Sequence, residues 1–159
     1  MGLKLINIII ETNEETDSNF IHRIKERFSF FNVKVFNSPF NGIIGQLDVN
    51  KMYYECEELN EWEKYGLKTT DEIMDKMYDF EIELIDFSKL FSNKIFGYIE
   101  IDCFGGTCYY EGFIIINGEI IYKQESAKDG HINILKRINK EYDGYYFEPF
   151  TREFINKNV

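Results

Sequence analysis

Residues 98–122 read YIEIDCFGGTCYYEGFIIINGEIIY. Two dipeptides in this stretch, Gly105-Gly106 and Asn117-Gly118, are the strongest short-range signals for two-residue β-hairpin turns, and apolar runs flank both. The pattern predicts an antiparallel meander with strands over 95–104, 107–116 and 119–124. If Gly105-Gly106 is the whole first loop, Phe104 faces Thr107. Cys103 then faces Cys108, Asp102 faces Tyr109, Ile101 faces Tyr110, and Glu100 faces Glu111. Strand side chains alternate. One face therefore carries Ile99, Ile101, Cys103, Cys108, Tyr110 and Ile114, which reads as core. The other carries Tyr98, Glu100, Asp102, Phe104, Thr107, Tyr109, Glu111 and Phe113.

That second face is unusual in its charge. Glu100 and Glu111 stand directly opposite, and like charges so placed weaken a hairpin. A cationic partner would relieve the repulsion, and acids set among Tyr and Phe match the aromatic anchors and steering charges of protein interfaces. Tyr98, Glu100, Asp102, Phe104, Tyr109 and Glu111 are the candidate partner-binding residues. A solvated outer face is the plain alternative. Further along, Phe113, Ile115, Ile120 and Tyr122 continue the same face with apolar side chains, which are often covered by a protein's own helices.

Working outward, Leu3–Ile10 is a nearly continuous apolar run, as expected of a strand buried on both faces. After the polar ETNEET, Asp17 or Ser18 can cap a helix whose stripe is Phe20, Ile24, Phe28 and Phe31. Residues 32–36 and 43–49 read as strands around a Pro39/Gly42 turn. Residues 50–66 favour a helix with Met52, Cys56 and Leu59 inward, although the aromatic MYYECE could also begin a strand, and Glu55, Glu57, Glu58, Glu61 and Glu63 make it the most acidic stretch. Thr69 and Glu72 have capping-box spacing. Ile73, Met74, Met77 and Tyr78 follow as a helical stripe, and 80–87 (FEIELIDF) alternates like a strand. Residues 131–142 predict a last helix with Ile132, Leu135 and Ile138 inward, and an aromatic tail that docks on the body. The sum is a single α+β domain over 1–159: a mainly antiparallel sheet with a C-terminal β-meander and packed helices.

Composition narrows the function. The 159 residues carry 28 acids against 18 bases, a formal charge of −10. Such a surface repels nucleic acid and anionic lipid and favours a basic protein partner. No apolar run approaches the ~20 residues of a membrane span, and the N-terminus lacks a signal-peptide pattern, so a cytoplasmic location is expected. The cysteines are Cys56, Cys103 and Cys108. Cys103 and Cys108 fall within disulfide reach across the hairpin. In a reducing compartment they are expected to stay thiols packed as small apolar side chains. A P-loop, GxGxxG, GxSxG and HExxH are all missing from the sequence. No catalytic residue, metal or cofactor is expected. A small enzyme or a metal or redox protein using Cys103, Cys108 and nearby carboxylates is one alternative. A Cys–His pair with His22 or His131 is a variant of it. A regulatory or structural subunit of a larger assembly is another.

The stretch Glu100–Gly106, strand then acid, aromatic and Gly-Gly, followed by a strand and an Asn-Gly turn, resembles small acidic bacterial immunity proteins of polymorphic toxin systems. The opening MGLKLINIIIE is similar to their start. This resemblance implies a single-domain α+β protein that neutralises a cognate toxin by binding it. It carries no functional residue with it.

Overall fold

The computed structural model describes residues 2–12, 18–144 and 146–157. The first strand, β1 (Leu3–Glu11), is buried from Leu5 to Ile10. It takes this place because a run without alternation has no face to offer water. β2 (Asn32–Phe36) and β3 (Gly42–Asp48) follow helix α1 (Ser18–Arg27). The meander supplies β4 (Ile95–Phe104), β5 (Thr107–Ile116) and β6 (Glu119–Ala127). All pairings are antiparallel, and the order is β2-β3-β1-β4-β5-β6. The chain is thus α+β, with its apolar first strand inside the sheet.

Each face of the sheet has its own core. On one, Ile6, Ile8, Ile10, Phe96, Tyr98, Phe113 and Ile115 pack under α1, α2 (Val49–Glu57) and α3 (Thr70–Lys89). Phe87 is the hub there, with edge-on contacts to Phe28 and Phe96 and tilted ones to Phe20 and Phe91. On the other, Leu5, Ile9, Ile99, Ile101 and Ile114 pack under α4 (Gly130–Ile138) and the tail, where Phe147 and Phe154 are buried. The tail ends in a 3-10 turn (Glu148–Phe150) and a short helix, α5 (Arg152–Ile155). Polar bonds pin it down. Buried Asn7 donates to Ile99 O and accepts from Gln46 Nε2, which also donates to Pro149 O. Lys34 donates to Phe154 O and Ile155 O.

Several expectations change. Residues 80–87 are the second half of α3, not a strand. Phe80, Leu84 and Phe87 satisfy both an alternating and a helical reading in part. The Thr69–Glu72 capping box is formed, and no Gly or Pro interrupts 70–89, so the helix runs through. Its Ile73 and Met77 are buried, while Met74 and Tyr78 face outward. α2 is shorter than 50–66; Leu59 lies beyond its end and is exposed. Phe28 and Phe31 lie past the end of α1 and are still buried. The proposed cap Asp17 falls outside the described residues, as do 13–16 of the polar stretch, while Ser18 is already the first residue of α1. α4 ends at Ile138, before the expected 142, because Asn139 is extended. A register shift between Ile114 and Ile115 pairs Tyr122 with Ile114, so Tyr122 joins the α4 side, not the α3 side. Among the described residues, no helix is long and apolar enough to cross a membrane.

Close packing at β5 gives a test of the register. A Cβ on Gly112 would collide with the backbone carbonyl oxygen of Tyr98, whereas one on Gly45 would meet only Phe31 at an ordinary 3.5 Å. Gly112→Ala is expected to cost about 2–3 kcal/mol in urea unfolding. Gly45→Ala is expected to gain about 0.5 kcal/mol, the usual preference of a strand for Ala.

Candidate protein-binding face

The β4-β5 hairpin closes through Gly105 and Gly106, at φ 60° and 82°. A two-residue turn of this hand requires φ above zero at both positions, which glycine adopts without Cβ strain. The turn sets the register, and Phe104↔Thr107, Cys103↔Cys108, Asp102↔Tyr109, Ile101↔Tyr110 and Glu100↔Glu111 are all paired as read from sequence.

The face opposite α4 divides in two. Tyr98 and Phe113 lie under α3 and are stacked on each other, ring centroids 4.6 Å apart and 6° from parallel. Tyr98 is 1% exposed and cannot meet a partner, so its place among the binding residues is corrected. Its role is internal: the hydroxyl donates to a Glu100 carboxylate oxygen at 2.9 Å. Burial, with Glu100 adding to it, raises the Tyr98 pKa far above the usual phenol range, so the hydroxyl stays a donor.

Toward the tip the face opens. Phe104 is 81% exposed and Tyr109 44%. Glu100, Asp102, Tyr109 and Glu111 line a small cleft of about 120 Å³ together with Lys4 and Ser126. Lys4 sits opposite Asp102 in the β1-β4 register. Burial pushes Glu111 above the usual carboxylate range, the opposed Glu100 charge adds to the shift, and Lys4 opposes it. Glu81, reaching in from α3, is raised by burial and then by Glu100 and Glu111, with Lys123 opposing. The tip therefore gathers three carboxylates, Glu100, Asp102 and Glu111, around one lysine, Lys4.

Sequence reasoning missed Lys4, Ser126 and Glu81. Lys4 arrives by the β1-β4 pairing, which no local pattern announces, and Ser126 lies past 124, where the last strand of the meander was expected to end. Glu81 was hidden by reading 80–87 as a strand. The second acidic patch also changes. Glu57, Glu58, Glu61 and Glu63 are exposed, but Glu55 is buried, bonded to Lys64 Nζ at 2.7 Å and to the Tyr65 hydroxyl at 2.5 Å. Burial alone would raise the Glu55 pKa. The bonds from Lys64 and Tyr65 and the Lys64 and Lys51 charges outweigh it, and the net shift is downward.

Cys103 and Cys108 are joined in a disulfide with Cα atoms 4.0 Å apart, which corrects the expectation of free thiols. An antiparallel pair without backbone hydrogen bonds brings facing Cβ atoms close enough for the bond. The pair lies half-buried on the α4 side, against the apolar cluster and not among the acids. The free cysteine, Cys56, is buried, and burial raises its pKa. His22 pairs with Glu26 on the exposed side of α1, and His131 lies tilted against Tyr110, centroids 4.0 Å apart. Neither meets an available thiol. Among the described residues, no group of three or more His, Cys, Asp or Glu side chains is arranged to hold a metal ion.

No family model matches the chain, and neither a curated protein nor a solved structure does.

Two glutamates should respond to neutralisation with opposite signs. The folded pKa of Glu111 is raised, so its ionisation costs stability as pH rises through that value. Glu111→Gln is expected to raise the thermal midpoint at pH 7, and the gain should vanish below the ordinary value of 4.5. The folded pKa of Glu55 is lowered, so its contribution is full above 4.5 and fades as pH falls through the lowered value. Glu55→Gln is expected to lower the midpoint at pH 7 and to converge on wild type in acid. Thermal melts of both variants from pH 3 to 7 read the two signs.

Proposed function

We propose that the chain is a non-enzymatic binding protein that inhibits a basic protein partner by occupying it, as an immunity protein neutralises its cognate toxin. The reading rests on one observation: two carboxyls face each other across a hairpin whose tip also exposes an almost unburied phenylalanine. A solvated face has no use for this arrangement, because like charges directly opposite weaken the pair and a bare Phe gains nothing from water. A partner makes both favourable. Its Lys or Arg side chains would sit between Glu100 and Glu111 and beside Asp102, exchanging repulsion for charge-assisted hydrogen bonds. Phe104 would anchor in an apolar pocket, with Tyr109 at its flank. The formal charge of −10 would speed encounter with a cationic surface. We place this activity in the cytoplasm, beside the target.

The closed Cys103–Cys108 bond favours a second reading, a redox protein exchanging that disulfide with a dithiol. The two readings separate in a single series. On the inhibitor reading, salt-sensitive pull-down of a basic protein that is toxic when expressed alone is expected. Glu100→Lys combined with Glu111→Lys should abolish that binding while the circular-dichroism spectrum stays native. Phe104→Ala should weaken binding about tenfold or more, as removal of an anchor does. Unchanged affinity in the double variant would remove the hairpin tip from the interface. Catalysis of dithiol exchange by a wild-type protein that captures no such partner would favour the redox reading.

A further inference from the structure

The chain is strongly acidic, yet one cleft of about 670 Å³ is lined by three lysines, Lys51, Lys64 and Lys157. It opens where β1 begins, β2 begins and β3 ends, between the turn carrying Lys64 and Tyr65 and the last described residues of the tail. Its size lies in the range of small-molecule sites. Two carboxylates stand among them and offset part of this charge: Asp48 caps α2 through Lys51 N, and Glu55 takes Lys64 at 2.7 Å and Lys51 at 3.9 Å. Lys34 adds a further ammonium. It holds the tail wall by its bonds to Phe154 O and Ile155 O. Burial, and then the Lys157 charge, lower its pKa. Four ammonium groups thus meet two carboxylates around this cleft.

A second observation is independent of charge. Gln46 lines the cleft and is 6% exposed. Both Nε2 hydrogens are used, toward Asn7 Oδ1 and Pro149 O, which fixes the amide orientation. The carbonyl oxygen Oε1 is left buried with no hydrogen-bond partner. A buried acceptor without a donor costs free energy, and native proteins keep few of them. The wall supplies a third feature, the rings of Phe30 and Tyr65, 5.5 Å apart.

We propose that this cleft is a binding site for a small organic anion that carries a hydroxyl or N–H donor and a flat ring, the chemistry of a nucleoside monophosphate. The lysines take the anionic group, a ligand donor satisfies Gln46 Oε1 after a small adjustment of its surroundings, and the ring lies against Phe30 and Tyr65. The site is separate from the acid-aromatic tip and does not depend on the inhibitor reading.

Calorimetric titration of the whole chain at low ionic strength tests this, with AMP as the probe and inorganic phosphate as its anion-only control. AMP is expected to bind at least about tenfold more tightly than phosphate. Lys51→Gln with Lys157→Gln, both at exposed positions, is expected to weaken AMP about tenfold or more while the circular-dichroism spectrum stays native. Gln46→Leu also removes two structural hydrogen bonds, so the lysine pair, not Gln46, is the deciding variant. No heat from AMP at millimolar concentration would overturn the proposal. So would an affinity unchanged in the lysine variant, or phosphate binding as tightly as AMP.

Discussion

β1 lies inside a six-stranded sheet with both of its faces out of water, and the layers around it follow from that burial. A strand of this kind has to be covered twice. α1, α2 and α3 cover one side and α4 with the C-terminal tail covers the other. The strand tolerates one polar side chain, Asn7, because Ile99 O and Gln46 Nε2 satisfy it. Through Gln46 the same bonds reach Pro149, so the 3-10 turn of the tail is tied to the first strand. Burial of the sheet centre and docking of the tail are therefore parts of one arrangement.

Local chemistry was legible where it is self-contained. Gly105-Gly106 gave the hairpin register to the residue, since turn length and pleat leave no other pairing. Thr69 and Glu72 marked the start of α3, but FEIELIDF hid its second half, because Phe80, Ile82 and Leu84 alternate while Phe80, Leu84 and Phe87 share a helical face. That one ambiguity also concealed what covers Tyr98. Whether a strand face meets water or the protein's own helix depends on contacts remote in sequence. Tyr98 and Phe104 belong to one face by parity, yet one is buried under α3 and the other projects into solvent. The disulfide shows a related limit. Geometry allowed it, and the expectation of thiols rested on the inferred compartment.

Two charged clusters, one richer in carboxylates and one richer in lysines, flank the beginning of β1. Consecutive residues Lys4 and Leu5 line the acidic cleft and the lysine-bearing one respectively. Side chains on flexible segments would swing apart to relieve such crowding. At the hairpin, strand pairing holds Glu100 directly opposite Glu111 in the folded state. Proteins accept strain of this kind where recognition needs preorganised groups.

The disulfide at the hairpin tip has a consequence for integrity of the chain. Cys103 and Cys108 close a covalent ring around the exposed loop, five residues apart in sequence. An exposed glycine turn is where a protease enters most readily. A single cut between Gly105 and Gly106 would leave the two strands joined through sulfur, and both would keep their places in the sheet. Damage at this exposed turn would then stay silent until a reductant parted the two pieces.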